Sequence, residues 1–142
     1  MLKERAVEYS RDKNCNCAES TLLAFSDEYG LGLGAEDAKL MGGFGGGLAS
    51  GLACGALCGS LAALGKLLLP GPAHETPAFR ALCAEYVALF REAMGGTDCR
   101  ELREKYFEPG KGCVRAIEKT PCFSPNSSHL GDCQRIQSCD GP

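Results

Sequence analysis

Apolar side chains recur along the chain mostly at the three- and four-residue spacing of amphipathic helices. The clearest stripe lies between Thr76-Pro77, a strong helix start, and Gly95-Gly96, a natural stop. Its apolar positions are Phe79, Leu82, Cys83, Tyr86, Val87, Phe90 and Met94. No run of four or more residues alternates apolar and polar positions with β-branched enrichment, which argues against a sheet.

Five shorter helices are predicted by the same spacing, over residues 2–9, 17–29, 36–41, 99–107 and 113–119. A chain of 142 residues suits one domain. We therefore expect an all-α, single-domain bundle of about five to seven helices with a glycine-rich loop. Residues 1–120 would form the helical domain, and residues 121–142 a Cys-containing irregular tail.

The run from Met41 to Gly65 carries no charge. Within it a glycine occurs at every fourth position, at 47, 51, 55 and 59. If this stretch is helical, the glycines form a smooth ridge that suits close packing within the chain or across a homodimer axis. The run also raises a membrane alternative, a transporter-associated interaction protein, but its glycine content and lack of an aromatic belt argue against a membrane span.

The net charge and the cysteine content limit the classes of function to be considered. The net charge is −3, with basic and acidic residues intermixed, so nucleic acid is not an expected partner. Residues 1–5, Met-Leu-Lys-Glu-Arg, carry alternating charges and no apolar h-region, which argues against a signal peptide and for a cytoplasmic protein. In that reducing compartment, the ten cysteines are more typical of metal ligands or redox groups than of structural bridges.

Two cysteines stand in matching helix-start sequences, Asn-Cys-Ala-Glu at 16–19 and Asp-Cys-Arg-Glu at 98–101. Each has the spacing of a capping box, with Cys17 or Cys99 at the first helical position. Cys113 also begins a predicted helix. Because the positive end of the helix dipole favours a thiolate, we expect these three thiols to be reactive, although small residues at a cap would give the same pattern.

The neighbouring residues in the sequence suggest different roles for the remaining cysteines. Cys54 is followed by a glycine that permits close approach of another group, so we interpret it as functional. Cys58 and Cys83 suit packing in the core. Cys15 suits a resolving thiol or a second ligand. The tail cysteines are compatible with a bridge, a looser metal site or free thiols; they are Cys122, Cys133 and Cys139.

The glycine-rich segment at 42–47 lacks the Gly-Lys-Ser/Thr of a phosphate loop and suits a tight backbone crossing beside a cofactor or another helix. Four glycines are therefore candidate cofactor contacts: Gly45, Gly46, Gly47 and Gly55. Neither histidine, His74 nor His129, follows a Cys-x-x-Cys pair, so covalent c-type haem is not expected.

Five landmarks occur in order: Asn-Cys-Ala-Glu-Ser at 16–20, Gly-Phe-Gly-Gly-Gly at 43–47, Cys-Gly-Ala-Leu-Cys-Gly at 54–59, Thr-Asp-Cys-Arg at 97–100, and Cys113. Over residues 1–119 this set resembles the redox-active protein family named for one Cys, a Cys-Gly-Ala-x-x-Gly motif and two later Cys. The resemblance implies a small protein of anaerobes whose four characteristic cysteines are Cys17, Cys54, Cys99 and Cys113. A similar domain accompanies haem modules in split-Soret cytochromes, which implies electron transfer. The tail cysteines depart from the family pattern.

We therefore expect Cys17, Cys54, Cys99 and Cys113 to meet at one site in a helical redox domain. Four thiolates there would serve electron transfer through an iron–sulfur cluster, or thiol–disulfide exchange with an unknown redox partner. The four are thus candidate catalytic residues and candidate metal ligands, and an oxidoreductase activity is left open. The alternative is a structural protein held together by zinc without catalysis.

Overall fold

The computed structural model describes residues 2–123 and 136–137. Within them the α-helices are α1 (Leu2–Arg11), α2 (Cys17–Tyr29), α3 (Ala35–Ala38), α4 (Gly55–Leu68), α5 (Pro77–Met94), α6 (Cys99–Tyr106) and α7 (Val114–Lys119). Short 3₁₀ turns cover Lys39–Phe44 and Ala73–Glu75. The predicted all-α, single-domain fold is confirmed.

Helix α2 lies at the centre and packs most extensively on α4 and α1. Its buried face supplies Ala18, Leu22 and Phe25 to the core. A β-carbon at Gly59 of α4 would come within 2.5 Å of the Ala18 carbonyl oxygen. The close approach of α2 to α4 therefore depends on a glycine at position 59.

Two buried tyrosines fix the later helices to α5. The Tyr86 hydroxyl donates a hydrogen bond to the Pro121 carbonyl oxygen at 2.7 Å. The Tyr106 hydroxyl, at the end of α6, donates to the Met94 carbonyl oxygen at 3.1 Å. Because buried polar groups are costly to leave unpaired, these bonds hold the end of α6 and the chain that follows α7 against α5.

The expected glycine ridge forms only in part, because α4 begins at Gly55 and not before. Residues 46–49 instead make a left-handed turn, with φ of 64° at Gly46 and Gly47, 60° at Leu48 and 54° at Ala49. Two of these residues carry side chains that disfavour this conformation. The turn redirects the chain towards α6 and divides the uncharged run. Among the described residues, no helix is long and apolar enough to cross a membrane.

Two further expectations need correction. The helix predicted over 36–41 is one turn, α3, continued by the 3₁₀ segment Lys39–Phe44, whose glycines favour a tighter, irregular turn. The tail is not wholly irregular, since strand β1 (Cys122–Phe123) pairs antiparallel with β2 (Ile136–Gln137). Cys133, Cys139 and His129 lie outside the described residues.

Candidate functional site

The segments that precede α4 and α6 pair side by side. Ala53 bridges Asp98 in antiparallel fashion, and the Cys54 N–H donates to the Thr97 carbonyl oxygen at 2.8 Å. The Cys99 N–H donates in turn to the Leu52 carbonyl oxygen. Cys54 is the N-cap of α4 and Cys99 is the first residue of α6. This pairing therefore brings two helix starts, each with its cysteine, next to each other.

Cys17 is the first residue of α2, and its sulfur lies against Gly55. Asn16 forms the predicted capping box with Glu19: its Oδ1 accepts from the Glu19 N–H at 2.9 Å, and its own N–H donates to Glu19 Oε2 at 2.8 Å. The Asn16 side chain also donates to the Gly42 carbonyl oxygen at 3.0 Å, which fixes the glycine-rich segment to the start of α2. The capping residue thus positions both Cys17 and the loop above it.

Cys113, the N-cap of α7, follows a turn closed by the Gly112 N–H donating to the Glu108 carbonyl oxygen at 2.8 Å. A cavity of about 200 Å³ opens beside it. Its lining residues are Ser10, Cys15, Asn16, Cys17, Gly46, Cys99, Arg103, Phe107, Gly112, Cys113 and Ile117. Cys54 does not line this cavity and is 6% exposed. Three of the four family cysteines thus face the cavity, and the fourth is buried near Cys17 and Cys99.

The thiols lie close enough to influence one another electrostatically. The pKa of Cys54 is raised to about 12, mainly by burial and to a smaller extent by the neighbouring Cys17 and Cys99. The backbone N–H groups of Leu57 and Ala56, at the start of α4, lower the pKa of Cys54 and so offset part of this rise. Cys54 is therefore a neighbour of Cys17 and Cys99, which line the cavity together with Cys113.

Cys99 and Cys113 both interact electrostatically with Cys17. Burial raises the pKa of both thiols, and Cys17 raises both further. Cys99 also raises the pKa of Cys113, whereas Arg103 lowers the pKa of both. At these two residues, loss of water around the sulfur opposes and outweighs the attraction of the helix end for a thiolate, and their reactivity stays a prediction.

The other described cysteines fall into three groups. Cys15 lines the cavity, and Cys58 lies near Cys17, which raises its pKa after burial does. For Cys83, on α5, burial alone raises the pKa, in agreement with its interpretation as a packing residue. Cys122 is disulfide-bonded, so the bridge is the alternative realised there.

Three of the four candidate glycines approach the site. Gly46 lines the cavity, and Gly55 contacts the Cys17 sulfur. A β-carbon at Gly47 would lie 2.5 Å from the Cys99 β-carbon. Gly45 packs instead on the Asn16 side chain, with its nearest atom 2.6 Å from the position of a β-carbon. Whether any of them contacts a cofactor stays a prediction.

Sequence reasoning missed Arg103 and Phe107. Both line the cavity, and the Arg103 guanidinium carbon lies 4.3 Å from the centre of the Phe107 ring. A signal was present, because residues four apart on a helix share a face and Arg103 follows Cys99 by four positions. Within the described residues, no three His, Cys, Asp or Glu side chains are grouped closely enough to hold one metal ion.

The fold and the site define a small helical protein with a half-buried cysteine centre. The family model described as "Putative redox-active protein (C_GCAxxG_C_C)" matches residues 15–124, which is 110 of the 142 residues, and the chain belongs to this family. Membership supports a redox role for the protein. Neither a curated protein nor a solved structure matches the chain significantly.

Proposed function

We propose that the protein transfers electrons through an iron–sulfur cluster held by Cys17, Cys54, Cys99 and Cys113. The observation that carries the proposal is the convergence of four thiols from four helix starts on one half-buried site. Four cysteine thiolates are the usual ligands of such clusters. When bound, the cluster would supply one-electron redox chemistry.

The donor set and its surroundings suit such a group. All four cysteines are free thiols. Glycine at 47 and at 55 leaves the Cys99 and Cys17 side chains uncrowded by a neighbouring β-carbon. Burial of Cys54 would keep water from one side of the centre, which is a lever on its reduction potential.

The raised pKa values also favour a metal centre over bare thiol chemistry. A thiol–disulfide exchange site needs an attacking thiolate, and burial raises the pKa of Cys54, Cys99 and Cys113 instead. A metal centre removes this difficulty, because a coordinating thiol is deprotonated outright.

The alternatives to a cluster are thiol–disulfide exchange, which one observation supports, and a structural zinc ion, which one observation opposes. Exchange between two thiols is supported by Arg103, whose positive charge offsets part of the rise in the pKa of Cys99 and Cys113. A structural zinc draws its ligands to about 2.3 Å from a single point. The spread of the described side chains is wider than one ion requires. A cluster, in contrast, distributes its four thiolates over several iron atoms.

The test is elemental analysis of protein purified without oxygen, with visible spectra before and after reduction. Iron with acid-labile sulfide, and an absorbance that bleaches on reduction and returns on reoxidation, is the expected result. One zinc per chain without iron would contradict the proposal. A colourless, metal-free protein that loses two thiols on mild oxidation, as two sulfurs release two protons and two electrons to form a bond, would establish the exchange alternative.

A further inference from the structure

Arg103 is an exposed cation at the wall of the cysteine cavity. It lies one turn after Cys99 on α6, and Phe107 stacks under its guanidinium, with 4.3 Å from the guanidinium carbon to the ring centre. Stacking on an aromatic ring holds the guanidinium plane while leaving its edge N–H donors free. The group is therefore presented to the cavity in a defined orientation.

The charge of Arg103 has no carboxylate partner among residues 2–123 and 136–137. Four other described cations do have one; they are Arg5, Lys39, Lys111 and Arg115. No Asp or Glu of the described segments lines the cavity. Glu19, the acidic residue that influences Cys15, is held by the Asn16 N–H in the capping box and lies outside the cavity lining.

The remaining walls indicate what kind of anion fits. Phe107 and Ile117 give the cavity apolar surface, and Ser10 gives it a hydroxyl. The volume of about 200 Å³ far exceeds the ~10–15 Å³ that one water needs. A planar guanidinium matches the two oxygens of a carboxylate, and apolar walls favour an organic anion over an inorganic one.

We propose that this cavity binds a small organic carboxylate through Arg103, next to the cysteine centre. Any role of that ligand in electron transfer rests on the proposed function, whereas its binding does not. The binding site itself follows from the cavity and from a guanidinium that has no carboxylate partner in the described part of the chain.

Cys15 provides a reporter that is not among the four proposed ligands and lines the same cavity. The experiment measures its alkylation by iodoacetate and by iodoacetamide, in protein as purified without oxygen, with mass spectrometry to locate the label. The two reagents share a mechanism, in which the sulfur displaces iodide, and differ in the carboxylate. Their rate ratio at fixed ionic strength therefore reports attraction of the carboxylate and cancels any change in the thiol itself.

Arg103→Gln should lower the iodoacetate-to-iodoacetamide ratio about fivefold, the effect of an exposed charge contact. Arg103→Lys, which keeps the charge without the planar fork, should lower it less. The matched control is Arg100→Gln, which removes an equal charge from α6 at a residue that packs beside Gly51 and does not line the cavity. Its ratio should stay near that of the unmodified protein.

An unchanged ratio in Arg103→Gln, or an equal fall in Arg100→Gln, overturns the proposal. So does a Cys15 that reacts with neither reagent, because the cavity would then be closed to small molecules. Iron and sulfide are measured on the same samples. If the protein contains no iron but the alkylation ratio depends on Arg103, the carboxylate site is supported and the cluster is contradicted. If the protein contains iron but the ratio does not depend on Arg103, the cluster is supported and the carboxylate site is contradicted.

Discussion

The sulfur of Cys17 lies against the α-carbon of Gly55, in space that any β-carbon at position 55 would occupy. The same hypothetical β-carbon would approach the Phe44 carbonyl oxygen to 3.1 Å. The first residue of α2 can therefore rest on the first residue of α4 only because residue 55 is glycine. The position of Cys17 is thus set within the packing of α2 on α4, to which Gly59 also contributes.

Replacing this glycine tests that dependence. We predict that Gly55→Ala displaces Cys17, lowers the free energy of unfolding by about 1–3 kcal/mol through overpacking, and loses most of the bound iron. Urea unfolding and iron analysis measure the two effects.

Gly65→Ala is the matched control in the same helix, where the nearest atoms, on Phe79 and Leu69, would lie 3.7 and 3.8 Å from the new β-carbon. This variant should keep its iron and gain up to ~1 kcal/mol of stability, because alanine favours a helix interior. Equal behaviour of the two variants would show that the Cys17–Gly55 contact has no special role.

The left-handed turn at 46–49 predicts a stabilising substitution. Ala49 has a φ of 54°, a conformation that disfavours a β-carbon by about 1–2 kcal/mol. Ala49→Gly removes this strain, and after the greater entropy of glycine in the unfolded chain is subtracted, we expect a gain of about 0.5–1 kcal/mol in urea unfolding.

The same exchange in an ordinary helix should have the opposite sign. Ala84 is exposed within α5, so Ala84→Gly should lower the free energy of unfolding by about 1 kcal/mol. A loss of stability in Ala49→Gly as large as that in Ala84→Gly would mean that residue 49 does not adopt the left-handed conformation.

Metal-free protein should lose stability as the pH rises above about 9. The ordinary pKa of a cysteine thiol is 9.0, and that of Cys54 is raised to about 12 in the fold, mainly by burial. Between these values the unfolded chain releases the proton and the native protein retains it. The native state then binds more protons, so stability falls with increasing pH, by at most ~1.4 kcal/mol per pH unit for one thiol.

Cys54→Ala should flatten this dependence between pH 9 and 12 in urea unfolding of metal-free protein. Cys83→Ala, which removes a thiol remote from the site, is the comparison, since burial raises the pKa of Cys83 by less. The Cys54 assignment is wrong if both variants follow the unmodified protein over this range.

Local signals in the sequence predicted much of the fold. The start of α2 at Cys17 follows from the Asn16 cap, and the start of α5 follows from proline at its first position. The stop of α5 at Gly95 follows in the same way. Helix α6 begins at Cys99 as predicted, but the capping box predicted there is wrong, because the Asp98 side chain makes no cap hydrogen bond. The residues that determine a helix start or stop lie within about one turn of it, so these boundaries can be predicted from the local sequence.

The long-range features were not predictable in this way. A run of glycines permits both a helical ridge and a left-handed turn, and what selects the turn is the pairing of Leu52 and Cys54 with residues 97–99. The protonation of Cys99 likewise depends on how completely the fold buries it. Burial is set by several elements together, and a helix-start motif alone gives only the smaller, opposing effect.

The most direct test of the central claim is the iron content of five single Cys→Ser variants, each purified without oxygen and checked for helicity by circular dichroism. We predict that the variants of Cys17, Cys54, Cys99 and Cys113 keep their helicity and lose most of their iron, and that Cys83→Ser binds as much iron as the unmodified protein. Full iron in any of the first four variants, or its loss in Cys83→Ser, would contradict a single centre built from these four sulfurs.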